Sequence, residues 1–380
     1  MKIGIISTIE GGYSWAGSEE MWYLLAHESL SNGNYVRVNV TTTIAQSSQA
    51  VFLKSQGAKV EARLALNGIT RRLAAKGLYS RQGLKEYSGE DVICLSMGAI
   101  ADCVWIPDLL RAFRSSQVPW IVIVQGNGEH IIGDENQRII LRDFYRRVQK
   151  VIFVSQQNLE LAERQLAIRF DNAVVMPNPI REVLNAPLDW PASDQGTYRM
   201  AEIARLEVLQ KRQDHLLEAL STPEWKQRNW TLTFYGVGPD KEHILALIRH
   251  YGLEGKALLG GYVRDFKEIW TNNHIHLLPT SYEGLSLSLL ESMSCGRPAV
   301  VTRAGGNADL VRDEVDGYVS PGMHPEVIRD RLEYAWANRD GWMQMGLNAW
   351  ERSRSWVPDD LGNELLHMII DVVKHASKML

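Results

Sequence analysis

The sequence predicts an α/β protein made of two doubly wound domains, each a parallel sheet wrapped by helices. Three observations carry that expectation. Short β-branched runs alternate with amphipathic helical stretches through the first part of the chain; a proline-rich stretch without sustained periodicity interrupts them at 177–197; the alternation then restarts. At 380 residues the chain is also longer than one core usually serves.

KIGIIS opens the chain as a buried strand. It lacks the long apolar run and small-residue cleavage site of a signal peptide, so the cytoplasm is the expected compartment. SEEMWYLLAHESL follows as an amphipathic helix and YVRVNV as the next strand, with DVICLS, PWIVIVQG and KVIFVS as later strands of the same sheet. The stretch PNPIREVLNAPLDWPASDQGTY reads as a linker on its four prolines. Beyond it YRMAEIARL, WTLTFYG, ALLGGYV, IHLLP and PAVVT supply a second set of strands. After Val319 the text turns helical and ends in DLGNELLHMIIDVVKHASKML, apolar along one face. The expected division is 1–185 for the first domain, joined by a terminal helix at 358–380, and 186–357 for the second. Ligands of doubly wound sheets bind outside the carboxyl ends of the strands, so the site is expected in a cleft between two such sheets.

Composition narrows the function. Hydrophobic residues make up 45% and charged residues 23% of the chain, an ordinary globular balance. A net charge of -4 argues against a nucleic-acid partner, because neutralising phosphates needs a basic excess. The longest apolar runs, such as 118–124, are too short to span a bilayer. Cys94, Cys103 and Cys295 form no CxxC pair, which leaves neither a disulfide framework nor a thiolate zinc site in view.

The chemistry concentrates in TSYEGLSLSLLESMSCGRPAV, residues 280–300. IHLLPT reads as a buried strand, SYEG as a turn, LSLSLLESMSCG as a helix closed by Gly296 and RPAVVT as the next strand. Glu283 then precedes the helix and Glu291 lies within it, eight positions on, or about 12 Å along a helix axis. Gly284 permits close backbone approach, and the amides of Leu285, Ser286 and Leu287 form an anion site at the helix start. One carboxylate could then accept from sugar hydroxyls, the amides hold phosphate, and the other carboxylate accept from ribose. The plainer alternative has Glu283 complementing the helix dipole and Glu291 solvated.

The stretch resembles the E-x7-E signature of retaining glycosyltransferases of GT-B architecture, glycosyltransferase family 4 (glycosyl transferases group 1). The resemblance runs through most of 199–319 in five blocks: ARLEVLQKRQDHLLEAL, WTLTFYGVGPD, LLGGYVRDFKEIW, the E-x7-E segment and RAGGNADLVRDEVDGYV. It implies two Rossmann-like domains and transfer of a hexose from a nucleoside-diphosphate sugar to a hydroxyl, with retained configuration. It also implies roles: Glu283 on the donor sugar, Glu291 on the nucleotide ribose, and Arg205 with Lys211 gripping the diphosphate. A cation is needed there because the leaving nucleotide gains negative charge. Five residues separate Arg205 from Lys211 where four are common, and Arg212 beside Lys211 is the competing cation. Gly236 and Gly238 of FYGVGPD are implied to bring backbone near the nucleotide, and Tyr262 and Val263 of GGYVRD to lie by the base; ordinary turns are the alternative for both.

In the first half, Gly17, Ser18 and Glu19 occupy the place of the family's G-G-x-E loop, with Ala16 replacing a glycine. The alternative is an ordinary helix start capped by Ser18. The spacing is not GxGxxG, which disfavours a dinucleotide dehydrogenase. After IVIV, where many relatives have histidine, this chain has Gln125, Gly126, Asn127, Gly128, Glu129 and His130. Gln125, Asn127 and Glu129 are the candidates for contact with sugar or acceptor, against a plain polar loop. Arg138, Arg142, Arg146 and Lys150 form a stripe at four-residue spacing, suited to an anionic membrane surface or to simple solvation. His274 and His276 alternate on a strand with no carboxylate at metal-ligand spacing, and no D-x-D motif appears.

The expectation is therefore a metal-independent enzyme without a cofactor, cytoplasmic or peripheral at a membrane. Its donor is a UDP-sugar ahead of a GDP-sugar, and its acceptor a saccharide, a lipid-linked sugar or a small alcohol. The alternatives are a sugar-nucleotide epimerase of the same architecture and a binding protein without turnover.

Overall fold

The structure is a computed structural model that describes residues 1–9, 15, 17–65, 89–180, 182, 184–192, 196–356 and 360–376. The chain separates into two compact units, one formed by Met1–Pro179 with Pro358–Leu380 and the other by Ile180–Val357.

The first unit holds a seven-stranded sheet of β1 (Lys2–Ser7), β2 (Tyr35–Thr41), β3 (Lys59–Arg63), β4 (Val92–Met97), β5 (Trp120–Val124), β6 (Lys150–Phe153) and β7 (Ala173–Val175). Their order is 3-2-1-4-5-6-7 and every pairing is parallel. Central strands β4 and β5 are buried along their whole length, which is why VICLSM and WIVIV read as unbroken apolar runs and not as alternations. Edge strand β3 is largely open and carries the charges of KVEAR. The helix Leu361–Ala376 packs on the helix Gly17–Ser31, where Gly362 lies close to the Leu24 carbonyl.

The second unit repeats the plan with β8 (Tyr198–Ile203), β9 (Trp230–Tyr235), β10 (Ala257–Gly261), β11 (Ile275–Leu278), β12 (Ala299–Thr302) and β13 (Tyr318–Ser320) in the order 10-9-8-11-12-13, again parallel. Its core is rich in indole: Trp225, Trp230, Trp270 and Trp342 are fully buried. Truncating any one of them would cost about 3–5 kcal/mol.

Two local expectations need correction. The stretch read as a linker is a packed strap over 184–192. Leu188 N donates to Cys295 O at 3.2 Å, and the buried Arg297 guanidinium donates to the carbonyls of Leu188 and Asp189 at 3.3 and 2.7 Å. Proline marked irregular backbone there, but the apolar Pro187, Leu188 and Trp190 gave it reason to pack. The E-x7-E helix spans Leu287–Ser294, starting two residues later than the sequence suggested, because Ser286 is extended and forms its N-cap. Glu283 therefore stands in irregular chain well before the helix, and the axial spacing of 12 Å does not apply to the pair.

Among the described residues no helix is long and apolar enough to cross a membrane. The basic stripe is partly spent within its own helix. Arg138 and Arg142 lie 3.7 and 2.8 Å from Glu135, and Arg142 Nε also donates to the Leu166 carbonyl.

Candidate functional site

In the second unit the loops that leave β8, β9, β10, β11 and β12 gather at the carboxyl end of the sheet, and most of the expected donor residues sit on them. Arg205 lies just past β8, before one helical turn at Val208–Lys211. That turn absorbs the extra residue between the two cations and delivers Lys211 to the 281–284 turn. There Lys211 Nζ meets Glu283 Oε2 at 2.5 Å, with the two side chains 13% and 14% exposed. Main chain sews the same segments together, as Ser281 N donates to Gln210 O at 2.8 Å and Ser281 Oγ to Leu209 O at 2.8 Å. Arg212, the competing cation, faces a different carboxylate. It adopts φ +55° and lies 3.7 Å from Asp214. Arg205 pairs with Glu207, two residues on, so both cations already hold carboxylates.

Gly236 and Gly238 do bring backbone close, but to the chain itself. A Cβ on Gly236, at φ +143°, would strike the Ala204 carbonyl, and one on Gly238 would strike Leu206. Leu206 N donates to Val237 O at 3.1 Å and Val208 N to Asp240 Oδ2 at 2.8 Å, so the glycine loop is the abutment of the Arg205 loop. Gly236 N also donates to Gly261 O at 2.7 Å, which ties in the GGYVRD loop. In that loop Tyr262 is exposed, while Val263 packs beside Ile269 and Trp270.

Gly284, Leu285 and Ser286 are buried and Leu287 half-buried. Leu285 and Ser286 precede the helix, so the free amides of its first turn begin at Leu287. The Ser286 side chain makes no cap hydrogen bond to that turn; its hydroxyl meets Ser288 Oγ at 3.1 Å. An N-terminus without its own side-chain cap suits an anionic ligand. Glu291 lies one turn further along, half-buried.

Sequence reasoning gave no supporting role to several groups, His274 and His276 among them, which it read as core-strand residues. Gly305, at φ +51°, fits under the Glu283 turn, where a Cβ would strike the carbonyls of Glu283 and Gly284, and Gly306 N donates to Gly284 O at 2.7 Å. The doubled glycine of RAGGN was the available signal. His276 is fully buried between β8 and the helix Leu287–Ser294. Its Nδ1 lies 3.1 Å from Ser292 Oγ and its Nε2 accepts from Ile203 N at 3.5 Å. Burial first, and the charge of Lys211 second, hold its pKa down at about 3, so the ring is neutral. His274 is likewise held down at about 4, by burial and then by Arg199. Both histidines are core groups. Glu202, on β8, is buried with Gln213, and burial raises its pKa well above the carboxylate range. A charged residue inside the apolar strand YRMAEI was its signal.

In the first unit, Gln125 follows β5 with both side-chain amide atoms buried and without a partner, the residue only 6% exposed. Asn127 is spent on its own loop, donating to Gln165 Oε1 at 2.9 Å and accepting from Gly128 N at 2.8 Å. Glu129 is exposed and pairs with Arg164. Of the three candidates in that loop, Gln125 alone keeps an unsatisfied group. Gly17 is the first residue of its helix, so Ser18 lies inside it and bonds Glu19 instead of capping. Residues 10–14 and Ala16, the rest of that expected loop, lie outside the described residues. Among the described residues no group of three or more histidine, cysteine or carboxylate side chains is placed to hold a metal ion.

Residues 192–352 match the family model described as glycosyl transferases group 1. The chain is 26% identical to the amylovoran biosynthesis glycosyltransferase AmsD of Erwinia amylovora, over 36% of this chain and 39% of that protein, so it spans under two fifths of that relative's length. The fold as a whole is similar to Anabaena Alr3699/HepE in complex with UDP, at TM-score 0.70 and 16% identity over 98% of this chain and 100% of that one. It is also similar to sucrose-phosphate synthase from Thermosynechococcus elongatus, at TM-score 0.72 and 16% identity over 98% and 99% of the two chains. Likeness at such identities shows the fold, and that fold is the two-domain GT-B architecture expected from the sequence.

Proposed function

We propose that the protein is a glycosyltransferase that moves a hexose from a nucleoside-diphosphate sugar to a hydroxyl, with retention at the anomeric carbon. The observation that carries this reading is the Lys211 and Glu283 pair, set beside the Arg205 loop and a helix start without a side-chain cap. An incoming diphosphate is a stronger partner for Lys211 than one carboxylate is. It takes the ammonium group and leaves Glu283 to accept hydrogen bonds from the sugar. As the bond to the anomeric carbon breaks, charge develops on the leaving phosphate, and Arg205, Lys211 and the amides from Leu287 onward are aimed at it. These groups supply the positive charge that a divalent ion supplies in other transferases, which supports a metal-independent reaction. Glu291 takes the ribose hydroxyls. On the first unit, Gln125 offers its unsatisfied amide to a hydroxyl-bearing ligand, a saccharide, a lipid-linked sugar or a small alcohol. UDP ranks ahead of GDP as the carrier because the similar HepE structure holds UDP.

The test incubates the protein with a panel of UDP- and GDP-sugars and mixed alcohol acceptors, without added metal, and follows products by NMR. A new α-glycosidic bond from an α-linked donor is the expected result. Release of an epimerised donor would replace this reading with an epimerase. Tight nucleotide binding with no chemistry under any acceptor would replace it with a binding protein.

A further inference from the structure

Beneath the loop that carries Arg205 and Lys211 lies a pair of polar side chains that no step above uses. Glu202 points from β8 into the core and is 1% exposed; Gln213 follows the loop and is fully buried. Gln213 Nε2 donates to Glu202 Oε1 at 2.8 Å and to the main-chain oxygen of Arg205 at 3.0 Å. The loop therefore leaves β8 at Arg205, makes one helical turn, reverses through Arg212, and is closed by its last side chain on its first carbonyl.

Such a pair is an expensive way to fill a core, where leucine and methionine would pack without desolvating two polar groups. Glu202 Oε2 and Gln213 Oε1 are both buried without a partner. Burial pushes the Glu202 carboxyl well above the usual carboxylate range, against the opposing pull of Lys211, which disfavours a second negative charge beneath that ammonium. A charged Glu202 would compete with Glu283, and with any ligand phosphate, for Lys211. Contacts of the 236–240 loop secure residues 206–208 from the outer side; the clasp acts one residue earlier, at Arg205 itself.

We propose that Gln213, braced by Glu202, is a positioning residue that clasps the Arg205 carbonyl and so fixes how Arg205 and Lys211 are presented to an anionic ligand. The inference rests on the reading that these two cations grip the donor diphosphate.

Gln213→Met keeps length and volume and removes both hydrogen bonds, while Glu202→Gln keeps the acceptor for Gln213 and Glu202→Met removes it. With a turned-over donor, Gln213→Met and Glu202→Met are expected to lower kcat about tenfold with donor KM within threefold. Glu202→Gln is expected to stay near wild type. In an Arg205→Ala background the loss caused by Gln213→Met should be smaller, because one of the two side chains that the clasp positions is gone. Equal losses in both backgrounds, or a change in melting temperature with kcat intact, would overturn the proposal. A readout independent of turnover is hydrogen–deuterium exchange of the peptide covering 204–212. Faster exchange in Gln213→Met and Glu202→Met but not in Glu202→Gln supports the clasp, and unchanged exchange refutes it. If the wild type transfers no sugar, the functional reading fails by itself and the exchange experiment still decides the clasp. If Gln213→Met does not fold, Glu202→Met reaches the same bond from its other end.

Discussion

Replacing His276 by leucine tests the electrostatics of the second unit through the depressed pKa of a buried ring. The ring is buried and neutral, with a pKa near 3 against about 6.5 in an unfolded chain. A base whose folded pKa is depressed contributes full stability above the unfolded pKa, and that stability is lost as pH falls toward the folded value. At pH 5.0 the unfolded chain gains about 2 kcal/mol by protonating this side chain, whereas at pH 7.5 the gain is under about 0.1 kcal/mol. His276→Leu removes that gain. It also removes the bond with Ser292 and the weak one from Ile203, but those losses are the same at both pH values. The stability gap between wild type and variant should therefore narrow by about 2 kcal/mol on going from pH 7.5 to 5.0.

The difference is the quantity to measure, because the wild-type curve alone mixes opposing groups. His274, with a pKa near 4, loses stability over the same window. Glu202 runs the other way. Its carboxyl is raised by burial, so its contribution is present below the unfolded pKa and falls away as pH rises. Urea midpoints of both proteins at the two pH values isolate His276, and on thermal scans the narrowing amounts to about 4–8 °C for a unit of this size. A gap that stays constant to within about 0.5 kcal/mol would mean that His276 can take a proton in the folded state. The reading of His276 as a buried, neutral group of the core would then be wrong.

Gly305→Ala should cost at least about 3 kcal/mol, since the residue sits at φ +51° with its Cβ position filled by the Glu283 and Gly284 carbonyls; a melting temperature within 2 °C of wild type would contradict that packing. Arg297→Met should cost about 3–5 kcal/mol, because the buried guanidinium donates to six carbonyls, two of them on the 184–192 strap, and its loss strips partners from several that are buried; chemical denaturation checks this. Burial lowers its pKa only to about 10, so it stays charged at neutral pH and lysine, with fewer donors, should not rescue it. Arg205→Ala should lower kcat about 100-fold or more, as expected for loss of a group that acts on developing charge, while Glu291→Ala should weaken nucleotide binding about tenfold in calorimetry. Near-normal values for both would remove the donor-site assignment.

How far the sequence led depended on whether a signal was local. Parallel strands announce themselves because both faces are covered: VICLSM and WIVIV read as buried strands and their alternation with helices as parallel sheets, while the strand orders came from the structure. Arg205, Lys211 and Glu283 were readable as a group only through the resemblance to glycosyl transferases group 1, since 72 positions separate Lys211 from Glu283 in the chain. What stayed hidden was the layer that holds them. Glu202 and Gln213 stand eleven positions apart on different elements and make sense only once packing puts a carboxyl and a carboxamide face to face in the core. His276 looked like a residue entering a strand, and that was correct as far as burial goes. Its contact with Ser292, on the helix that carries Glu291, depends on how that helix lies across the sheet. The glycines show the same limit from the other side. Gly236 and Gly238 advertise a need for close approach, but the sequence cannot say to what, and the structure answers with the chain's own Ala204 and Leu206. The resemblance thus singles out candidate groups for a ligand, at strand ends. The groups that aim them are chosen by local fit in three dimensions, and it is there, in Glu202, Gln213, Gly305 and His276, that substitutions far from any ligand should change how this site works.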